Sequence, residues 1–100
     1  MKPARRFRAP DARERAALAD LRDLLRGWEG PADAEALQAE VYAIGKAHGF
    51  EPLRAWFGCL YQVLMGAEQG PRFGGFIALY GIEETADMID RALLREQAGA

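Results

Sequence analysis

The stretch Leu53-Arg54-Ala55-Trp56-Phe57-Gly58-Cys59-Leu60-Tyr61-Gln62-Val63-Leu64 decides the fold class. Leu53, Trp56, Phe57, Leu60, Tyr61 and Leu64 recur every three or four residues, the spacing of one wide helix face and not the two-residue alternation of a half-buried strand. Glu51-Pro52 stands where a helix starts, because proline is preset for the first helical turn, and Gly66 stands where it stops. This predicts a central helix.

The same signals repeat outward from it. Upstream, Asp11 precedes Leu18, Leu21, Leu25 and Trp28, which predicts a helix over 11–26 with Asp11 as N-cap and with Gly27 and Gly30 at its exit. Pro31 and Asp33 open a second helix with the buried face Leu37, Val41, Ile44, and Lys46 and His48 before Gly49 suit the negative end of its dipole. Downstream, Gly70-Pro71 starts a short fourth helix carrying Phe73, Phe76, Ile77 and Tyr80, with Gly81 as terminator. Glu83 and Glu84 favour the positive end of a fifth helix, whose core face reads Ile82, Ala86, Ile89, Leu93. With β-branched residues sparse, the expected fold is all-α: an irregular bundle of about five helices, with short connections favouring contact between sequential neighbours and the third helix in the middle. Residues 1–10, with two prolines among cations, read as a basic N-terminal arm or linker, and residues 11–100 as one helical domain.

A chain of 100 residues supports one hydrophobic core and excludes a two-domain enzyme within it. Cys59 is the single cysteine, which leaves no internal disulfide and suggests a reducing compartment. No apolar run approaches the roughly 18 residues of a membrane span, and the basic start is not followed by the apolar stretch of a secretory signal, so a soluble cytoplasmic protein is expected. The net charge of −2 conceals an asymmetry. Residues 1–26 hold eight basic and four acidic side chains, the remainder five basic and eleven acidic, so any polyanion-facing surface is expected to start at the N-terminal end.

Catalysis finds no support in the residues: no nucleophile and base, no paired carboxylates in a pocket, no metal set. Cys59 reads as a buried inert thiol, and His48 as a cation near a helix C-terminus. Glu83, Glu84, Asp87 and Asp90 read as the first turn and solvated face of the last helix rather than a metal cluster. Trp56, Phe57, Tyr61, Phe73, Phe76 and Tyr80 read first as core and second as a stacking platform. The run Gly70-Pro71-Arg72-Phe73-Gly74-Gly75-Phe76 stands apart. Its glycines permit close approach at a helix start, beside the five-donor guanidinium of Arg72, and the Gly-Lys-Ser/Thr ending of a phosphate-binding loop is missing. Such a turn suits phosphate oxygens or the carbonyls of an unstacked base, with a solvated structural turn as the competing reading.

The run 53–64, continuing through Gly66 and Gly70-Pro71-Arg72-Phe73-Gly74-Gly75-Phe76 to Gly81, closely resembles the C-terminal end of bacterial class I lysyl-tRNA synthetases, and residues 2–10 resemble the segment leading into it. The resemblance implies a helical anticodon-binding domain of the type found in class I synthetases. Its partners would be the anticodon loop of lysine tRNA and the catalytic domain of a parent enzyme that joins lysine to tRNA using ATP. The His-Ile-Gly-His and Lys-Met-Ser-Lys-Ser type motifs of that catalytic domain are absent from these residues, so no catalytic residue, metal or cofactor is expected in this chain, and Met1 reads as a start supplied to an excised domain. Under this resemblance Gly70, Pro71, Arg72, Phe73, Gly74, Gly75 and Phe76 meet the two anticodon uracils, with Phe73 or another exposed aromatic as the stacking surface. Arg5, Arg6 and Arg8 would touch phosphates or the neighbouring domain, a solubilising linker being the other reading. A free-standing helical protein-interaction or dimerisation module without RNA binding is the alternative.

Overall fold

The computed structural model describes residues 7–95. It contains α1 (Ala12–Arg26), α2 (Ala34–Ala47), α3 (Arg54–Cys59) running on into a π-helical segment (Leu60–Met65), α4 (Phe73–Tyr80) and α5 (Ile82–Leu93). The described residues are all-helical, without a strand.

Local chemistry sets the helix ends. The Asp11 side chain accepts from the Glu14 N–H at 2.9 Å while the Glu14 carboxylate accepts from the Asp11 N–H at 2.9 Å, a capping box that satisfies two orphan donors of α1. Asp33 caps α2 by accepting from the Ala36 N–H at 3.0 Å. Leu18, Leu21 and Leu25 of α1 and Leu37, Val41 and Ile44 of α2 are buried, as their spacing predicts. On α5, Ala86 and Ile89 are buried with Thr85 and Ala92, while Ile82 and Leu93 flank the core half-buried.

The third helix differs from expectation. From Leu60 the hydrogen bonding widens to the π pattern, and the Tyr61 carbonyl accepts from the N–H groups of both Gly66 and Ala67. Gly66, at φ 65°, then turns the chain in the left-handed conformation that suits glycine. Trp56, Cys59, Leu60, Val63 and Leu64 enter the core from this element. The Trp56 indole lies on Gly45 of α2, where a Cβ would sit 2.4 Å from its Cδ1, and its Nε1–H donates to the Val41 carbonyl at 2.9 Å.

Sequential neighbours are not the main packing partners. The most extensive contacts join α1 to α5 and α2 to α4, so the bundle is two non-sequential helix pairs with the third helix feeding side chains into their common core. Charge matching explains the first pair. Arg26 reaches Glu83 at 2.7 Å, Asp87 at 2.9 Å and Asp90 at 2.7 Å, and Arg22 reaches Asp90 at 2.7 Å. A missing side chain explains the second: a Cβ on Gly74 of α4 would lie 2.4 Å from the Ala34 carbonyl oxygen and 2.6 Å from the Gln38 nitrogen, so the two backbones touch.

Candidate functional site

The run from Gly70 to Phe76 forms a corner between the π segment and α4, and one residue ties down the loop before it. The Tyr61 carbonyl holds the Ala67 N–H at 3.1 Å, and the Tyr61 hydroxyl donates to the Pro71 carbonyl at 2.7 Å. Burial pushes the Tyr61 phenol up, so it stays a protonated donor at neutral pH. Gly70 packs against the same ring, where a Cβ would come within 3.2 Å of Tyr61 Cδ1.

Gly70, Pro71 and Arg72 are exposed, and Arg72 is the residue from which α4 departs. Its guanidinium Nη1 lies 3.4 Å from Glu35 Oε2, with the two side chains 67% and 77% exposed. That distance exceeds the 2.7–2.9 Å of a firm charge-assisted bond, so the pair holds the guanidinium only loosely. Arg72 offers no side-chain cap to α4. The cap comes from another helix: Gln38 Oε1 accepts from the Gly74 N–H at 2.7 Å.

Phe73 is fully buried, which overturns its assignment as a stacking surface: the ring points into the core because α4 lies backbone to backbone on α2. Gly74 is buried as well, and its N–H is occupied. Gly75 faces open space, with nothing within 4 Å of a notional Cβ. Phe73, Phe76 and Tyr80 stack in succession, with centroids 5.4 Å and 5.1 Å apart and planes within 26° and 16°. Only the far end of this column is exposed, at Tyr80.

Two grooves flank the corner. One, of about 460 Å³, is largely apolar and includes Met65, Gln69, Pro71, Phe76, Tyr80 and Met88. The other, of about 310 Å³, is bounded by Glu35, Gln38, Ala39, Tyr42 and Arg72. Glu35, Gln38 and Tyr42 stand at i, i+3 and i+7 of α2, one face of the helix, and the sequence reading passed over them. A polar and aromatic stripe beside the apolar face of α2 was the available signal.

The basic N-terminal third presents less free charge than its composition suggests. Arg8 donates to both Glu14 oxygens at 2.7 and 2.8 Å and to Gln62 at 2.7 Å, which engages its guanidinium within the fold. Arg15 donates to the backbone carbonyls of Leu93 and Arg95, and Arg13 to that of Gly49. Arg22 and Arg26 are matched by α5 acids, which also places Glu83, Asp87 and Asp90 in ion pairs. Arg5 and Arg6 lie outside the described residues. Cys59 is buried, and burial pushes its thiol above the usual range, which makes it a poor nucleophile. His48 Nε2 meets Asp20 at 2.7 Å, an α1–α2 tie. No helix of the described residues is long and apolar enough to cross a membrane.

Known proteins align with almost the whole chain. It is homologous to one part of a tRNA ligase. The relatives are lysine-tRNA ligases: that of Roseobacter denitrificans is 58% identical over 96 residues, covering 96% of this chain and 18% of the relative. That of Rickettsia bellii is 42% identical over 93 residues, covering 93% and 18%, and that of Rickettsia felis 40% identical over the same share of each. The chain thus spans about 18% of the length of the curated relatives it matches. No family model and no solved structure matches it.

Proposed function

We propose that this chain is the anticodon-binding region of a class I lysine-tRNA ligase, a helical module that binds lysine tRNA and leaves lysine activation with ATP to a catalytic domain of the same cytoplasmic enzyme. The observation that carries the reading is the Gly70–Arg72 corner: an exposed, loosely paired guanidinium on a clipped turn between two grooves, in a chain whose relatives are lysine-tRNA ligases. Bases unstacked from a loop are read by such donors and by aromatic faces, because an A-form helix hides its base edges in a deep groove. The role first given to Phe73 passes to Phe76 and Tyr80, which border the apolar groove.

Titration of the 15N-labelled chain with a lysine anticodon stem-loop tests this. With a net charge of −2 and most described arginines paired internally, the dissociation constant should lie above roughly 10⁻⁶ M at physiological salt. Shifts should centre on 69–76, and Arg72→Ala should abolish them without altering the helical spectrum. A flat titration at millimolar RNA refutes the reading. One observation favours the protein-interaction alternative: Leu79 is 91% exposed beside exposed Tyr80 at the end of α4. Sedimentation showing self-association through Leu79, lost in Leu79→Ser and accompanied by no RNA response, would establish it instead.

A further inference from the structure

We infer that Tyr61 is a positioning residue for RNA binding, its hydroxyl fastening the peptide bond that enters Arg72 so that the guanidinium is presented in one place; the inference rests on the RNA-binding reading above. The loop it fastens has little else to hold it. Residues 68–71 are exposed, Pro71 has no N–H to donate, and Gly70 has no side chain. Among the described residues, 68–71 make one hydrogen bond, which the Pro71 carbonyl accepts from the Tyr61 hydroxyl at 2.7 Å. That carbonyl shares a planar peptide unit with the Arg72 nitrogen, so holding the one orients the other. On the far side the Arg72 carbonyl accepts from the Phe76 N–H at 3.0 Å as α4 begins. The backbone of Arg72 is therefore held before and after, while its side chain has only the loose 3.4 Å contact with Glu35 among the described residues.

Tyr61 stands on a fixed base. Its carbonyl accepts from the Gly66 and Ala67 N–H groups, which closes the π segment. The next two residues are tied from opposite ends of the described chain. Gln62 Oε1 accepts from Arg8 Nε at 2.7 Å, and the Val63 carbonyl, one of those a helix end leaves without a backbone partner, accepts from Arg95 Nη1 at 2.7 Å. Gly70 seats against this base, because a Cβ there would come within 3.2 Å of Tyr61 Cδ1 and 3.3 Å of Met65 Sδ. Tyr61 lines neither groove of the corner, so its effect on a ligand passes through Pro71 and Arg72.

Tyr61→Phe keeps the ring on Gly70 and removes only the hydroxyl. Titrated with the lysine anticodon stem-loop, the 100-residue variant should bind about three- to tenfold more weakly than the parent, because losing the bond lowers the fraction of chains with the corner in place. In the RNA-free chain, 15N relaxation should show added motion at Gly70 and Arg72 with the helical circular dichroism unchanged. Lysine at position 72 supplies a discriminating background, since its ammonium is a flexible point charge that needs less exact placement than a planar guanidinium fork. Arg72→Lys should itself weaken binding, and adding Tyr61→Phe to it should weaken binding by less than about twofold more. Equal losses in the two backgrounds, parent-like affinity in Tyr61→Phe, or unchanged relaxation at Gly70 and Arg72 would each overturn the inference and leave the RNA-binding reading standing. No response of the parent chain to the stem-loop defeats the reading and the inference together.

Discussion

Replacing Gly74 and Gly75 in turn by alanine separates packing from backbone preference at two adjacent positions of one helix. Neither glycine has a positive φ, so alanine is conformationally acceptable at both. At Gly75 the added methyl meets nothing, and the variant should gain up to about 1 kcal/mol from reduced unfolded-chain entropy. At Gly74 the methyl would lie 2.4 Å from the Ala34 carbonyl oxygen, 2.6 Å from the Gln38 nitrogen and 2.7 Å from the Gln38 Cβ. Two of those atoms are backbone and cannot rotate away, so α4 must lift from α2. Overpacking of this kind costs about 1–3 kcal/mol, and loss of the Gly74–Gln38 hydrogen bond adds about 1 kcal/mol. The two variants should therefore differ by about 2–5 kcal/mol, on the order of 10–40 °C in Tm for a domain of this size. Thermal and urea melts followed by circular dichroism measure the gap. If Gly74→Ala melts within about 2 °C of the parent, or moves with Gly75→Ala, the backbone contact between α2 and α4 is wrong.

Three further expectations follow from the buried polar groups. The Arg8 guanidinium holds the Glu14 carboxyl below the usual carboxylate range, so the pair stabilises the fold above the unfolded value of about 4.3 and is lost as pH falls through the lower folded value. Glu14→Gln should cost about 1–3 kcal/mol at pH 7, with the gap to the parent closing in urea melts at pH 3; an undiminished gap there contradicts the pairing. Trp56→Phe removes the buried donor to the Val41 carbonyl and should lower stability by about 1–3 kcal/mol, read as a shift in urea midpoint, whereas an unchanged midpoint would mean that bond contributes nothing. Cys59 should resist a thiol reagent in the native state at pH 8 and react at the rate of unfolding in denaturant; rapid native labelling would place it at the surface.

The candidate site was legible in part. Arg72 and the glycines around it stood out because a helix start bare of bulky side chains is a local pattern. Phe73 was misassigned because periodicity gives the angle of a residue around its own helix but not which neighbour covers that angle. Glu35, Gln38 and Tyr42 carried only the weak signal of a polar and aromatic stripe: on α2 they read as an ordinary solvated face, and they gain meaning only because α4 brings Arg72 beside them.

The starts of α1 and α2 and their apolar faces were settled by neighbours within a turn or so along the chain, as with Asp11 accepting from the Glu14 N–H or Leu37, Val41 and Ile44 sharing a face, whereas α4 takes its cap from Gln38 of α2. Interactions of that range depend on order in the sequence alone. Which helices pair, which arginines are neutralised and which aromatic ring stays at the surface depend on distances between residues some 30 to 70 positions apart, such as Arg26 with Asp90 and Gly74 with Gln38. Only the folded chain sets those distances, because charge pairing and close packing act through space and carry no periodic trace along the sequence.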